Sequence, residues 1–164
     1  MILRSFVLIA GLAGAFGAAQ FPSYSQQYLQ RLGGAVDALG QVVADFDASA
    51  GALGLSRQAA LAQMQGTPFV DARRADMERT FARFAVLEAD LKALRDYGPF
   101  MRAYHASHLS DAEIARGTWS DYQPTLPLNF ASAVFAGFGF IVVGFGVGGV
   151  LMLLRPRRRR PMAA

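Results

Sequence analysis

The chain has 164 residues, enough for one ordinary domain, and 53% of them are apolar against 17% charged; soluble domains average roughly 45–50% and about 25%. With no cysteine, disulfides, thiolate metal sites and cysteine nucleophiles are excluded. The net charge of +4 does not describe a nucleic-acid-binding domain: residues 23–125 hold all 12 acidic side chains against 10 basic ones, and the other positives, Arg4, Arg155, Arg157, Arg158, Arg159 and Arg160, flank the apolar ends.

In chain order, Ser5 to Ala19 is an uncharged apolar run behind Arg4. It reads either as a cleavable signal peptide, with Gly17 and Ala19 as small residues before a cut, or as an uncleaved signal anchor. The anchor is the preferred reading, because the uncharged stretch continues to Gln30 and lets the helix lengthen. Small residues repeat at four-residue spacing (Gly11 with Ala15, Gly14 with Ala18), which lets a second membrane helix approach closely. Pro22 with Ser23 and Gln26 then forms a helix-start pattern that begins a fresh helix or marks a kink. Tyr24, Tyr28, Leu32, Ala35, Leu39, Val42, Val43 and Phe46 follow at three- and four-residue spacing, the stripe of an amphipathic helix ending at Gly51 and Gly54.

Ser56 caps a short helix through Gln65. Thr67-Pro68 opens a longer one reaching Asp96. In that helix Met77, Phe84 and Leu91 step by seven, interleaved with Thr80, Leu87 and Leu94, so one antiparallel partner is expected, the helix through Phe46. Gly98-Pro99 stops it, and a short helical piece runs from Phe100 to His108. Ser110 and Glu113 form a second capping box, with Leu109 and Ile114 as its staple, for a helix ending near Tyr122. Pro124 and Pro127 make an extended approach to Leu128–Leu154, 27 residues without an ionisable side chain. About 20 apolar residues of helix cross a bilayer, so this is a membrane span. Its Ala133 with Gly137 and Gly144 with Gly148 are expected close-packing faces. Arg4 and the arginine tail place both ends in the cytoplasm by the positive-inside rule, which puts the middle across the membrane. No segment reads as a strand.

Few residues suggest chemistry. Gly144, Gly146 and Gly149 spell a dinucleotide fingerprint, but no strand precedes it and no acid follows. His105 and His108, with Asp111 and Glu113 near, could face a zinc ion, yet a structural site needs four ligands and a catalytic one an open position and a supporting shell. The other carboxylates alternate with arginines as on a solvated helix face. Gln26, Gln27, Gln30 and Arg31 crowd the start of the first long soluble helix and offer a hydrogen-bonding face.

Gln20-Phe21-Pro22-Ser23-Tyr24-Ser25-Gln26-Gln27-Tyr28-Leu29-Gln30-Arg31-Leu32 resembles the opening signature of a proteobacterial inner-membrane family known only as a domain of unknown function. Asp111-Ala112-Glu113-Ile114-Ala115-Arg116-Gly117-Thr118-Trp119, followed by Asp121, Tyr122 and Pro124, resembles its second signature. The resemblance covers nearly the whole chain and implies the same architecture and a bacterial source, but no activity. Gly117 stands where the resemblance implies alanine, a mild departure.

The expected fold is all-α, with two transmembrane helices and a periplasmic helical hairpin or bundle. Residues 1–22 form an N-terminal signal anchor, 23–125 the periplasmic domain, 126–155 the second span and 156–164 a basic cytoplasmic tail. The expected function is that of a non-catalytic inner-membrane protein, structural or accessory, acting through helix–helix contacts with itself or another membrane protein. No cofactor and no nucleic acid is expected. The alternative is a periplasmic sensing or ligand-binding module without its own output domain. Tyr24, Gln27, Gln30, Arg31, Trp119 and Tyr122 are the expected juxtamembrane interaction site. Gly11, Gly14, Ala15, Ala133, Gly137, Gly144 and Gly148 are the expected helix-packing residues. Arg155 and Arg157 to Arg160 are expected to meet anionic lipid.

Overall fold

A computed structural model describes residues 2–124 and 128–154. The arginines from Arg155 onward and Pro127 lie outside the described residues. Every element among the described residues is helical: α1 (Ile2–Ala19), α2 (Phe21–Ala52), α3 (Arg57–Gln63), α4 (Pro68–Arg95), α5 (Pro99–Tyr104), a single 3-10 turn (Ala106–His108), α6 (Ala112–Asp121) and α7 (Phe130–Leu153). Two helical stretches, one within Arg4–Ala52 and the other Phe130–Leu153, are long and apolar enough to cross a membrane. Only 17% and 11% of their most apolar windows are buried, which sets them apart from core helices of a soluble protein.

The chain divides into two compact units. The first takes the described residues among 2–23 and 123–154, and the second takes Tyr24–Tyr122. In the first unit α1 and α7 run antiparallel. Val7 lies beside Gly148, Gly11 beside Gly144 and Phe140, Gly14 beside Gly139 and Val143, and Phe21 lies near Phe135 with ring centres 5.2 Å apart. Asn129 begins α7 by accepting a hydrogen bond from Ser132 N–H at 2.9 Å, a cap not expected from the sequence. Gln20 alone separates α1 from α2. Pro22 has no N–H to give to the Ala18 carbonyl and its ring crowds that oxygen, so the helical ladder breaks just ahead of it. Of the two readings of this pattern, a fresh helix starting at Ser23 does not hold, since Ser23 sits inside α2, whereas a kink fits the break at Gln20.

The second unit is a helical hairpin of α2 and α4, with α6 closing one side. Its core joins Tyr28, Leu29, Leu32 and Val36 of α2, Leu87 and Leu94 of α4, and Ile114 of α6. The seven-residue spacing in the sequence anticipates this seam: Phe84 and Leu91 pack on the same core, Phe84 also faces Gly40, and Phe46 meets Phe81 edge to face at 5.1 Å. Two caps are as expected, Ser56 accepting from Ala59 N–H and Thr67 from Val70 N–H. A third is not. Asp111, rather than Ser110, caps α6, its Oδ1 accepting from Glu113 N–H at 3.0 Å and Ile114 N–H at 2.8 Å. A carboxylate is the better partner for the positive end of a helix, and Glu113 is drawn to Arg83 at 2.8 Å instead of reaching back.

Arg57 pins α3 to the hairpin. Its guanidinium makes a two-pronged contact with Asp47 at 2.8 and 2.5 Å and lies 4.6 Å over the Phe81 ring. That pairing holds the Asp47 carboxyl below its ordinary range and Arg57 above its own.

Candidate interaction sites

In the first unit the contact surface is built from missing side chains. A Cβ added at Gly14 would lie 2.7 Å from the Gly139 carbonyl oxygen and 2.5 Å from Val143, and one added at Gly139 would collide with the Gly14 carbonyl and with Ala18. The two backbones therefore touch, as in the close approaches that small residues permit between membrane helices. Of the expected packing residues, Gly11, Gly14, Gly144 and Gly148 lie on this seam, and Ala15 lines a groove beside it. Ala133 and Gly137 do not pack on α1. Both are exposed, and a Cβ at Gly137 would meet nothing within 4 Å. Near the start of α7 the seam with α1 follows Ser132 and Gly139, which are buried and seven apart, a spacing that a search for small pairs four apart does not sample. Gly139, the tightest point, escapes that search for the same reason.

In the second unit, Tyr24, Trp119 and Tyr122 form one aromatic cluster. Tyr24 meets Trp119 edge-on at 6.3 Å and Tyr122 at 5.9 Å, and Trp119 stacks on Tyr122 at 6.3 Å. Trp119 remains 71% exposed, which makes it a surface feature with an apolar body. Burial pushes the Tyr122 phenol above its usual value.

The amides and Arg31 are used differently from the expectation. Arg31 Nη1 donates to the Gly117 carbonyl at 3.1 Å and to Asp121 Oδ2 at 2.7 Å, so it joins α2 to α6. Hydrogen bonds from Arg31 and Ser120 hold the Asp121 carboxyl below the ordinary carboxylate range. Gln26 accepts from the buried Arg102 at 2.6 Å, and Arg102 also donates weakly to the Leu94 carbonyl at 3.4 Å. Burial lowers the Arg102 pKa, although a guanidinium keeps its charge in a protein. Gln26 and Gln30 are exposed and Gln27 is partly buried. With Gln26 engaged by Arg102, Gln30 is the exposed amide of the cluster that faces outward.

The two histidine rings lie 6.3 Å apart but take different partners. His105 stacks on Tyr97 at 4.9 Å with nearly parallel planes, and His108 Nδ1 pairs with Asp90 Oδ1 at 2.7 Å. Among the described residues no three His, Asp or Glu side chains are grouped to hold a metal ion. Tyr28, wholly buried, accepts from Asp111 N–H at 3.2 Å, and burial raises its pKa.

Comparison with known families decides the kinship. The family described as "Protein of unknown function (DUF2937)" matches residues 2–160. The chain belongs to DUF2937. No curated protein and no solved structure matches it. The two signatures that carried the resemblance lie within the matched span, and in this DUF2937 member they meet through Arg31 and α6. Gly117 is more than the mild departure the sequence suggests: a Cβ there would lie 2.5 Å from Arg31 Nε, Cζ and Nη2, so glycine leaves the space the guanidinium occupies. Gly117→Ala should push Arg31 off Asp121 while the helix gains about 1 kcal/mol in propensity. The unfolding midpoint of the DUF2937 chain should then change little, but the Asp121 carboxyl should titrate at a higher pH than in the native chain, with only the Ser120 hydrogen bond left to hold it down. Carboxylate titration by NMR checks this, and an unchanged Asp121 would refute the contact.

Proposed function

We propose that this is a two-pass bacterial inner-membrane protein with both ends cytoplasmic and residues 23–125 periplasmic, serving as a non-catalytic assembly or accessory component through helix–helix contacts. The observation that carries the reading is the surface of α1 and α7. Their inner faces meet backbone to backbone at Gly14 and Gly139, while Phe6, Ile9, Leu12, Phe138, Ile141 and Phe145 are each at least half exposed. An apolar face of this extent calls for lipid or a partner. Several charged side chains support the non-catalytic part of the reading, because they are engaged with each other: Arg73 and Arg79 with Asp76, Arg83 with Asp111 and Glu113, Lys92 with Glu88. Tyr24, Trp119 and Tyr122 suit the headgroup level, where amphipathic rings are favoured.

One observation favours the alternative, a ligand-binding module. An open groove of about 330 Å³ runs along α2 and α4, edged by Gln26, Gln30, Asp37 and Arg95, and Cβ atoms at Gly33 and Gly34 would meet nothing there.

A photoreactive residue at Phe145, activated in intact membranes before gentle extraction and mass spectrometry, distinguishes the two. The assembly reading expects a discrete, near-stoichiometric protein adduct, either a second copy or one partner. Adducts with lipid alone would sink it and turn attention to the groove on the second unit.

A further inference from the structure

Helix α5 is partitioned the wrong way round for water. Its one charged side chain, Arg102, is buried, with Nη1 donating to Gln26 at 2.6 Å and Nε to the Leu94 carbonyl at 3.4 Å. Its outer side is apolar: Tyr104 is 81% exposed, and Met101, one turn earlier, is exposed as well. Burying a guanidinium while showing a methionine and a tyrosine reverses the usual sorting of side chains. The arrangement is also held firmly. Arg102 fastens the inner side to α2 and α4, while Tyr104 meets His105 edge-on at 5.2 Å and His105 stacks on Tyr97.

Resting on the two-pass reading above, we infer that α5 is a membrane foot: Met101 and Tyr104 enter the boundary between lipid headgroups and acyl chains. The occupant follows from where α5 is fastened. Gln26 stands four residues past Pro22, where the first span is read to end, so α2 carries it at most about 6 Å from there, whatever its tilt. The headgroup layer is itself about 5–8 Å deep on each side, and the bond between Gln26 and Arg102 falls within it. The chain also leaves the unit from this end, at Tyr122, whose ring meets Tyr24. Interfacial segments bury an apolar face about 5–10 Å into this boundary, and tyrosine is favoured there. Charge adds little: Arg95 and Asp96 stand side by side at the end of α4 and cancel, so the contact needs no anionic lipid.

Trp119 is the chain's one tryptophan, so Trp119→Phe gives a silent background for three reporters, Tyr104→Trp, Phe69→Trp and Ile141→Trp. Each full chain is reconstituted in phosphatidylcholine vesicles with acyl chains brominated either near the ester or near the bilayer centre, and quenching of the emission is read. Tyr104→Trp should be quenched several-fold more than Phe69→Trp, and more by shallow than by deep bromine. Phe69 is the matched control, 74% exposed but at the start of α4, the far end of the hairpin. Ile141→Trp, midway along α7, should be quenched most by deep bromine. Adding Met101→Asp should cut the Tyr104→Trp quenching about threefold, because a carboxylate resists leaving water. Quenching at Tyr104→Trp no greater than at Phe69→Trp, with Ile141→Trp still quenched, would overturn the foot and leave the two-pass reading standing. Blue-shifted but unquenched emission from Tyr104→Trp would mean that protein covers α5, which also overturns it. So would quenching that appears only when phosphatidylglycerol is added. No quenching at Ile141→Trp would sink the two-pass reading itself.

Discussion

Replacing Gly139 with leucine is expected to abolish a disulfide that otherwise forms readily between cysteines introduced as Val7→Cys and Gly148→Cys. The chain has no cysteine of its own, so the assay has no background. A Cβ at Gly148 lies 3.8 Å from a Val7 methyl carbon, which brings the two introduced thiols together when α1 and α7 are seated. Oxidation in membranes and a shift in gel mobility report the bond. Overpacking an ordinary core costs about 1–3 kcal/mol, because side chains can turn aside. At Gly139 the obstruction is the Gly14 carbonyl, which has no rotamer to change, so the helices must separate. Gly137→Leu is the matched control: its Cβ faces open space, and the disulfide should form as before. Equal disulfide yields in the two variants would disprove the backbone contact.

Leu94→Ala should be the most damaging single truncation in the second unit, at about 2–5 kcal/mol. Leu94 has no exposed surface and belongs to the cluster that joins α2, α4 and α6. Its carbonyl also receives the buried Arg102, so a cavity here loosens the seat of a desolvated charge as well. Urea unfolding of the full chain in mild detergent, followed by far-ultraviolet circular dichroism, should show the midpoint fall sharply. Val86→Ala, on the same helix but at a residue 61% exposed, should shift it by less than about 0.5 kcal/mol. Similar losses at both positions would mean that the hairpin core is not where these contacts put it.

These two sites differ in how far they could be read from the sequence. Leu87 and Leu94 were legible because a seven-residue rhythm on one helix is a local pattern, and a single antiparallel partner is its usual solution. Ser56 and Thr67 were legible for the same reason, since a cap is settled within four residues. Gly139 was not, because nothing local separates it from the other glycines of α7, and its role is set by a carbonyl on α1. Asp111 displaced Ser110 through a competition between neighbours that Arg83, 28 residues upstream, helps decide. Arg31 and Gly117 both stand in the signatures, but their relation depends on α6 lying against α2. The aromatic trio was anticipated from the placement of its members near the ends of the spans, while the bond between Gln26 and Arg102 had no sequence signal at all.

The contact between Gly14 and Gly139 also limits how this pair can evolve. Most packed pairs drift by exchange, one side chain growing as its neighbour shrinks, so that total volume is kept. Glycine leaves nothing to surrender. A gain at either position has no compensating reduction at the other, and ancestral and descendant sequences cannot be linked by a swap of sizes. Change at this crossing must instead arrive with a shift of the helix axes, which is a concerted step involving many residues, so both glycines should outlast most of the apolar positions that surround them.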